Sequence, residues 1–173
     1  GALLAVPQGE SLLALYTADI TATLKTIFFG VLWGVGGLTF GLSMRYLGVA
    51  LGQSIALGTC AGLGTILTPL FTGKTGDLTT PVIVGVVVTL LGIAIIGLAG
   101  MMKSNESDEE TKKAAIKDFN FGKGILVALL AGFMSACFNI GLGMGESLTW
   151  DATPAIFKTL PATFMVTLGG FLT

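Results

Sequence analysis

Four long uncharged stretches limit what this chain can fold into: residues 26–44, 46–73, 78–102 and 124–145 contain no Asp, Glu, Lys or Arg. A helix crosses a bilayer with about 20 predominantly apolar residues, and each stretch supplies them. Charge is scarce overall, at 11% of the 173 residues, against roughly 25% in a soluble domain. A water-soluble globular domain is excluded. A net charge of −1 also leaves no basic surface for nucleic acid.

Barrel strands run for about 10 alternating residues; these stretches are longer and do not alternate. The sequence therefore predicts an all-α, polytopic membrane helix bundle, with backbone groups satisfied inside each helix. Spans are expected at 26–44, 49–71, 81–102 and 123–145. Residues 1–6 read as the tail of a preceding helix and 154–173 as a truncated fifth span. The chain thus reads as one membrane domain, an internal piece of a longer protein.

Arg45-Tyr46-Leu47-Gly48 predicts a tight turn closing an antiparallel hairpin, and Pro69 is expected to end the second span. Pro81 suits the first turn of a helix. Pro154 is expected to open the fifth span and Pro161 to kink it. Between Pro7 and Lys25, Leu12, Leu13, Tyr16, Ile20 and Leu24 recur at helical spacing. That fits either an interfacial amphipathic helix or an ordinary loop.

Basic residues in loops set orientation. Arg45, Lys103, Lys112, Lys113, Lys117 and Lys123 fall on one side, and Lys25, Lys74 and Lys158 on the other. Six against three puts the charged loop 103–122 in the cytoplasm. Its mixed signs mark a solvated linker, not a binding tail.

Small residues repeat along the spans. Gly30, Gly34, Gly37 and Gly41 share one face of the first; Gly48, Gly52 and Ala56, then Gly58 and Gly62, recur in the second. Gly85, Thr89 and Gly92 line the third, and Ala128, Gly132, Ser135 and Asn139 the fourth. In lipid such faces are packing seams, because small residues let backbones approach. A bundle that meets through smooth faces can also rock, as alternating access requires.

Polar groups inside the spans are few. Thr39, Ser43, Thr59, Thr65 and Ser135 can bond back to their own helix. Asn139 needs a partner or a wet cavity, which leaves it either interhelical glue or a site residue. Trp33 sits deep for a belt tryptophan; its indole offers a flat apolar surface and one donor, suited to packing or to a sugar's C–H face. Trp33, Gly37, Thr39, Ser135 and Asn139 are thus the substrate-binding candidates. No span carries a mid-membrane carboxylate, so Asp19 and Glu146, at span boundaries beside Asp151, are the coupling candidates. Cys60 and Cys137 lie deep in apolar stretches and behave as small hydrophobes. With no His and no metal-ligand spacing, neither metal nor cofactor is expected.

The run Trp33-Gly34-Val35-Gly36-Gly37-Leu38-Thr39-Phe40-Gly41-Leu42-Ser43-Met44-Arg45-Tyr46-Leu47-Gly48 resembles the bacterial L-rhamnose–proton symporter family of the drug/metabolite transporter superfamily. The resemblance continues through Gly64-Thr65-Ile66-Leu67-Thr68-Pro69 and Phe119-Asn120-Phe121-Gly122-Lys123-Gly124, in order and at matching separations. It implies roughly the first half of a ten-helix inner-membrane carrier, lacking its first helix, with the loop after the third span cytoplasmic. The implied activity is proton-coupled sugar uptake, with a sugar and a proton as partners. Phe40 stands where the family favours tyrosine. Asn139–Glu146 departs from the alanine-rich enterobacterial pattern, so a related deoxy-sugar stays open beside L-rhamnose.

Two other classes compete. A drug/metabolite-type exporter would share the architecture; a structural membrane subunit would need no polar groups on its small-residue faces. An intramembrane protease needs a paired Ser and His, two Asp or a zinc set, and the spans contain none.

Overall fold

A computed structural model of the chain describes residues 12–106, 120–149 and 158–173. The 1–6 tail, most of the charged loop, Asp151 and Pro154 lie outside the described residues. The elements are α1 (Leu12–Ala18), α2 (Ile20–Leu47), α3 (Val49–Thr72), a 3-10 turn (Thr75–Asp77), α4 (Thr80–Glu106), α5 (Phe121–Met144) and α6 (Leu160–Phe171). No strand occurs among the described residues. The helices α2, α3 and α5, and α4 over Thr80–Gly100, are long and apolar enough to span a membrane. The chain is a multi-pass membrane helix bundle.

Hydropathy marks where hydrocarbon begins, not where a helix stops. α2 starts six residues before position 26, and α4 runs four past Met102. Of the open region before the first span, residues 20–25 begin α2 and Leu12–Ala18 forms the short helix α1. It breaks at Asp19, whose carboxylate caps α2 by accepting the Ala22 N–H at 3.0 Å. The hairpin turn shrinks to one residue: Gly48, at φ 83°, alone separates α2 from α3. Its N–H bonds the Met44 carbonyl at 2.8 Å.

Pro69 does not end α3. The helix runs on to Thr72 and stops at Gly73, in the left-handed region, where glycine closes helices without a Cβ clash. Nor is Pro161 a kink among the described residues. α6 begins at Leu160, so the proline lies in the first turn, where its missing N–H leaves no bond unmade.

The helix α5 is the centre, packed against both α2 and α3; α6 lies on α2, and α4 on α3. A Cβ added at Gly36 of α2 would lie 2.9 Å from the Met134 Cβ of α5. One added at Gly132 of α5 would lie 2.7 Å from the Ala56 carbonyl oxygen of α3. Gly30 and Gly169 meet backbone to backbone where α2 crosses α6.

The continuous face expected in the first span is split. Gly30 and Gly34 pack on α6, whereas Gly37 and Gly41 face open space among the described residues. α6 reaches α2 only as far as Gly34, which faces Gly170 and Thr173. Beyond that level nothing among the described residues covers the face. Gly36, off the expected stripe, makes the α5 contact. In the third span Gly85 and Gly92 also meet open space, consistent with α4 standing at the edge with Ile83, Val88 and Ile95 half or more exposed.

Two buried clusters cap the bundle. Tyr16, Ala22, Leu148, Ala162 and Met165 pack where α2 begins; Leu47, Ile55, Ala56, Ala128 and Ala131 pack where it ends. At the latter end the Asn120 N–H bonds the Tyr46 carbonyl at 3.2 Å, and the Asn120 side chain accepts from the Lys123 N–H to cap α5.

Gly169→Ala should destabilise the protein by about 1–3 kcal/mol, the usual cost of overpacking, because the new methyl meets Gly30 and Val31 backbone atoms 2.9 Å away. Gly85→Ala places its methyl in open space and removes a helix-interior glycine, so stability should hold or rise by up to about 1 kcal/mol. Thermal unfolding of the two variants in detergent reads the contrast; equal losses would refute the assigned seams.

Candidate functional site

The substrate-binding candidates do not converge on one cavity. Trp33 lies at the junction of α2, α5 and α6: its ring packs on Phe138 with centroids 4.9 Å apart, and its edge lies against Gly170. Asn139, the next residue of α5 but turned about 100° around it, lies against Gly64 of α3. Its amide nitrogen is 2.7 Å from where a Gly64 Cβ would be. Ser135 lies at the α2–α5 seam, its backbone nitrogen 3.0 Å from a Cβ added at Gly36. The Thr39 hydroxyl donates within its own helix, with the Gly36 and Val35 carbonyls at 2.9 and 3.2 Å. Gly37 is exposed.

These placements divide the candidates by chemistry. Trp33 is half-buried and packed on two sides, so its apolar plane is largely occupied. Asn139 is exposed in this chain, and no described residue hydrogen-bonds its carboxamide. A carboxamide offers two donors and an acceptor, the set that reads adjacent sugar hydroxyls. One turn along the same seam, the Thr68 hydroxyl oxygen is buried without a partner among the described residues.

The boundary carboxylates gather at the other side of the bundle from Arg45 and Lys123. Glu146, just past α5, pairs with Lys74, just past α3, and both side chains are at least half exposed. The next residue, Ser147, donates its hydroxyl to the second oxygen of Asp19 at 2.7 Å, and Leu148 is fully buried. Three consecutive residues after α5 are thus held by α3, α2 and the core. The Ala22 N–H and the Ser147 hydroxyl, aided by Lys25, hold the Asp19 carboxyl below the usual carboxylate range. Sequence reading did not pair these groups: Lys74 and Glu146 lie 72 positions apart, and only the charge at each loop was visible.

A cleft of about 670 Å³ opens between α3, α4 and α5, walled by Ile55, Leu63, Leu90, Ile93, Phe121 and Ile125 among others. Thr59 carries the one hydroxyl among its lining residues, and none of the substrate or coupling candidates lines it.

The family model described as L-rhamnose-proton symport protein matches residues 6–172. A protein of Cronobacter sakazakii described as an L-rhamnose-proton symporter is 34% identical over 91% of this chain and 47% of its own length. One of Mannheimia succiniciproducens with the same description is 29% identical over 95% of this chain and 48% of its own length. A third, of Yersinia pestis, is 33% identical over 90% and 46%. The chain spans about half the length of the curated relatives it matches. No solved structure matches it significantly.

The capping role of Asp19 has a pH signature. A carboxyl whose folded pKa is lowered stabilises the fold fully above its unfolded pKa and loses that contribution as pH falls through the folded value. Asp19→Asn should therefore melt below the unsubstituted protein at neutral pH, with the gap closing below the ordinary carboxylate range. Melting curves of both from pH 7 to pH 3 check this; a gap independent of pH would rule out the charged cap.

Proposed function

Because the chain belongs to the L-rhamnose-proton symport protein family, we propose that its complete polypeptide takes up L-rhamnose or a related deoxy-sugar together with a proton. The uptake runs across the bacterial inner membrane by alternating access. The observation that carries the reading is the family match over residues 6–172. The glycine seams support it, since helices that meet through backbone contacts can shift without extracting large side chains from one another.

Within this chain the sugar's hydroxyls are met by Asn139, with Thr39 and Ser135 as further polar groups on the same three-helix core. Trp33 shapes the site from behind through Phe138, and Gly37 leaves its face of α2 free for approach. Of the boundary carboxylates, Asp19 is committed to capping and kept ionised. Glu146, exposed and paired with Lys74, is the remaining coupling candidate. The loop between α4 and α5 lies in the cytoplasm, as six basic residues against three require. Arg45, Lys103 and Lys123 at one end of the bundle, and Lys25 and Lys74 at the other, support that grouping.

Cells expressing the complete polypeptide should accumulate labelled L-rhamnose, and a protonophore should abolish the accumulation. Uptake that ignores the protonophore would remove proton coupling, and no uptake of any deoxy-sugar would remove the reading. Asn139→Ala should raise the half-saturation concentration by about 2- to 10-fold, the loss of one neutral hydrogen bond, with abundance unchanged. Asn139→Asp should make uptake newly pH-dependent, because an added carboxyl titrates.

A further inference from the structure

We propose that Gly64 is a positioning residue for sugar recognition: the space left by its missing Cβ is the seat of the Asn139 carboxamide. The inference rests on the reading that Asn139 meets the sugar, and goes beyond it by naming what fixes the amide in place.

Gly64 is buried inside α3, ahead of Pro69. Glycine in a helix interior is unfavourable relative to alanine, so its presence there calls for a local reason. The other glycines of α3 have apolar or backbone reasons. A Cβ added at Gly52 would lie 3.0 Å from α2 backbone atoms, and Gly58 and Gly62 face the Ile93 and Leu90 side chains of α4. Gly64 alone among them faces a polar side chain.

The neighbours of a methyl at position 64 are graded in a telling way. The Asn139 amide nitrogen would be 2.7 Å away, the Asn139 Cγ 3.7 Å and the Ala136 Cβ 3.8 Å. Only the amide end is too close; everything else is at ordinary contact distance. The carboxamide is the far end of a side chain that can swing, so the helices need not part. Gly64→Ala should therefore leave α3 and α5 packed as they are and move one group, the amide, from 2.7 Å out to at least the 3.4 Å of an ordinary contact. A shift of that size spoils hydrogen-bond geometry, which tolerates only a few tenths of an ångström around about 2.9 Å.

The seam has a second polar group in want of a partner. Thr68, one turn beyond Gly64, has its hydroxyl buried and unpartnered among the described residues. Its methyl lies 3.1 Å from a Cβ added at Gly143, one turn beyond Asn139. Amide and hydroxyl thus occupy successive turns of one α3–α5 contact. Gly64 sets the position of the first.

The test uses Gly64→Ala, Asn139→Ala and the double variant in the complete polypeptide, with Gly62→Ala as a control on the α4-facing side of α3. Half-saturation for L-rhamnose, maximal rate and transporter abundance are measured in the same membranes. Gly64→Ala should raise half-saturation by about 2- to 10-fold without lowering abundance, and should add nothing once Asn139 is alanine. Gly62→Ala should leave half-saturation unchanged. If Asn139→Ala raises half-saturation and Gly64→Ala does not, the positioning role is overturned while the binding reading stands. A Gly64→Ala effect that persists in the Asn139→Ala background also overturns it, since Gly64 would then act by another route. If neither substitution moves half-saturation, Asn139 leaves the site and the inference falls with it.

Discussion

Backbone-to-backbone contact through glycine is the constraint on which the bundle depends. Lipid tails are as apolar as leucine, so burying a leucine between two helices gains little over leaving it in the membrane. What remains is close packing, and that requires the absence of side chains at the crossings. α5 can sit between α2 and α3 because Gly36, Gly132 and Gly141 let three backbones approach at once. α6 is held to α2 by Gly30 and Gly169 in the same manner. By contrast α4 touches α3 through side chains such as Leu90 and Ile93 laid into the notches at Gly62 and Gly58. The first kind of contact fixes a tight core; the second leaves a looser outer helix.

The two ends of that core are closed differently. At one end Gly48 turns the chain in a single residue, and Asn120 ties the start of α5 to Tyr46. These two contacts are backbone hydrogen bonds. At the other end, residues 146–148 are held by an exposed ion pair, a hydroxyl–carboxylate bond and one buried leucine. Exposed ion pairs contribute little to stability and exchange readily with water.

Much of this fold was legible because a bilayer reduces folding to one dimension: charge is excluded over a fixed length, and residues 81–102 could be read as a span inside one uncharged stretch. Helix limits were less so, since Lys25 and Lys103 both lie inside helices that outrun the hydrocarbon. The periodicity of Gly30, Gly34, Gly37 and Gly41 identified a face, yet not which helix covers it or how far. The candidate site was legible only as a shortage of polar groups in the spans, which marked Asn139 alongside Trp33, Gly37, Thr39 and Ser135. Nothing in the pattern separates Gly62 from Gly64, two residues apart, although one faces leucine and the other an amide. Partners 72 or 128 positions apart, such as Lys74 with Glu146 and Asp19 with Ser147, carry no local signal.

The apolar cleft bears on the path of the proposed sugar substrate. Moving a hydroxyl from water to apolar surroundings without a partner costs roughly 1–3 kcal/mol by protein measures, and a deoxy-hexose carries several. The cleft between α3, α4 and α5 offers one hydroxyl, Thr59. A sugar there would lose most of its hydrogen bonds, whereas an acyl chain would lose none. The cleft is thus suited to lipid, and its volume is no guide to the substrate. Two polar groups short of partners, the Asn139 amide and the Thr68 hydroxyl, lie on the α3–α5 seam and do not line that cleft, while a third, the Thr26 hydroxyl, is buried on α2. On the proposed function, desolvation therefore favours the small polar seam over the large apolar opening as the part of this chain that would meet a sugar.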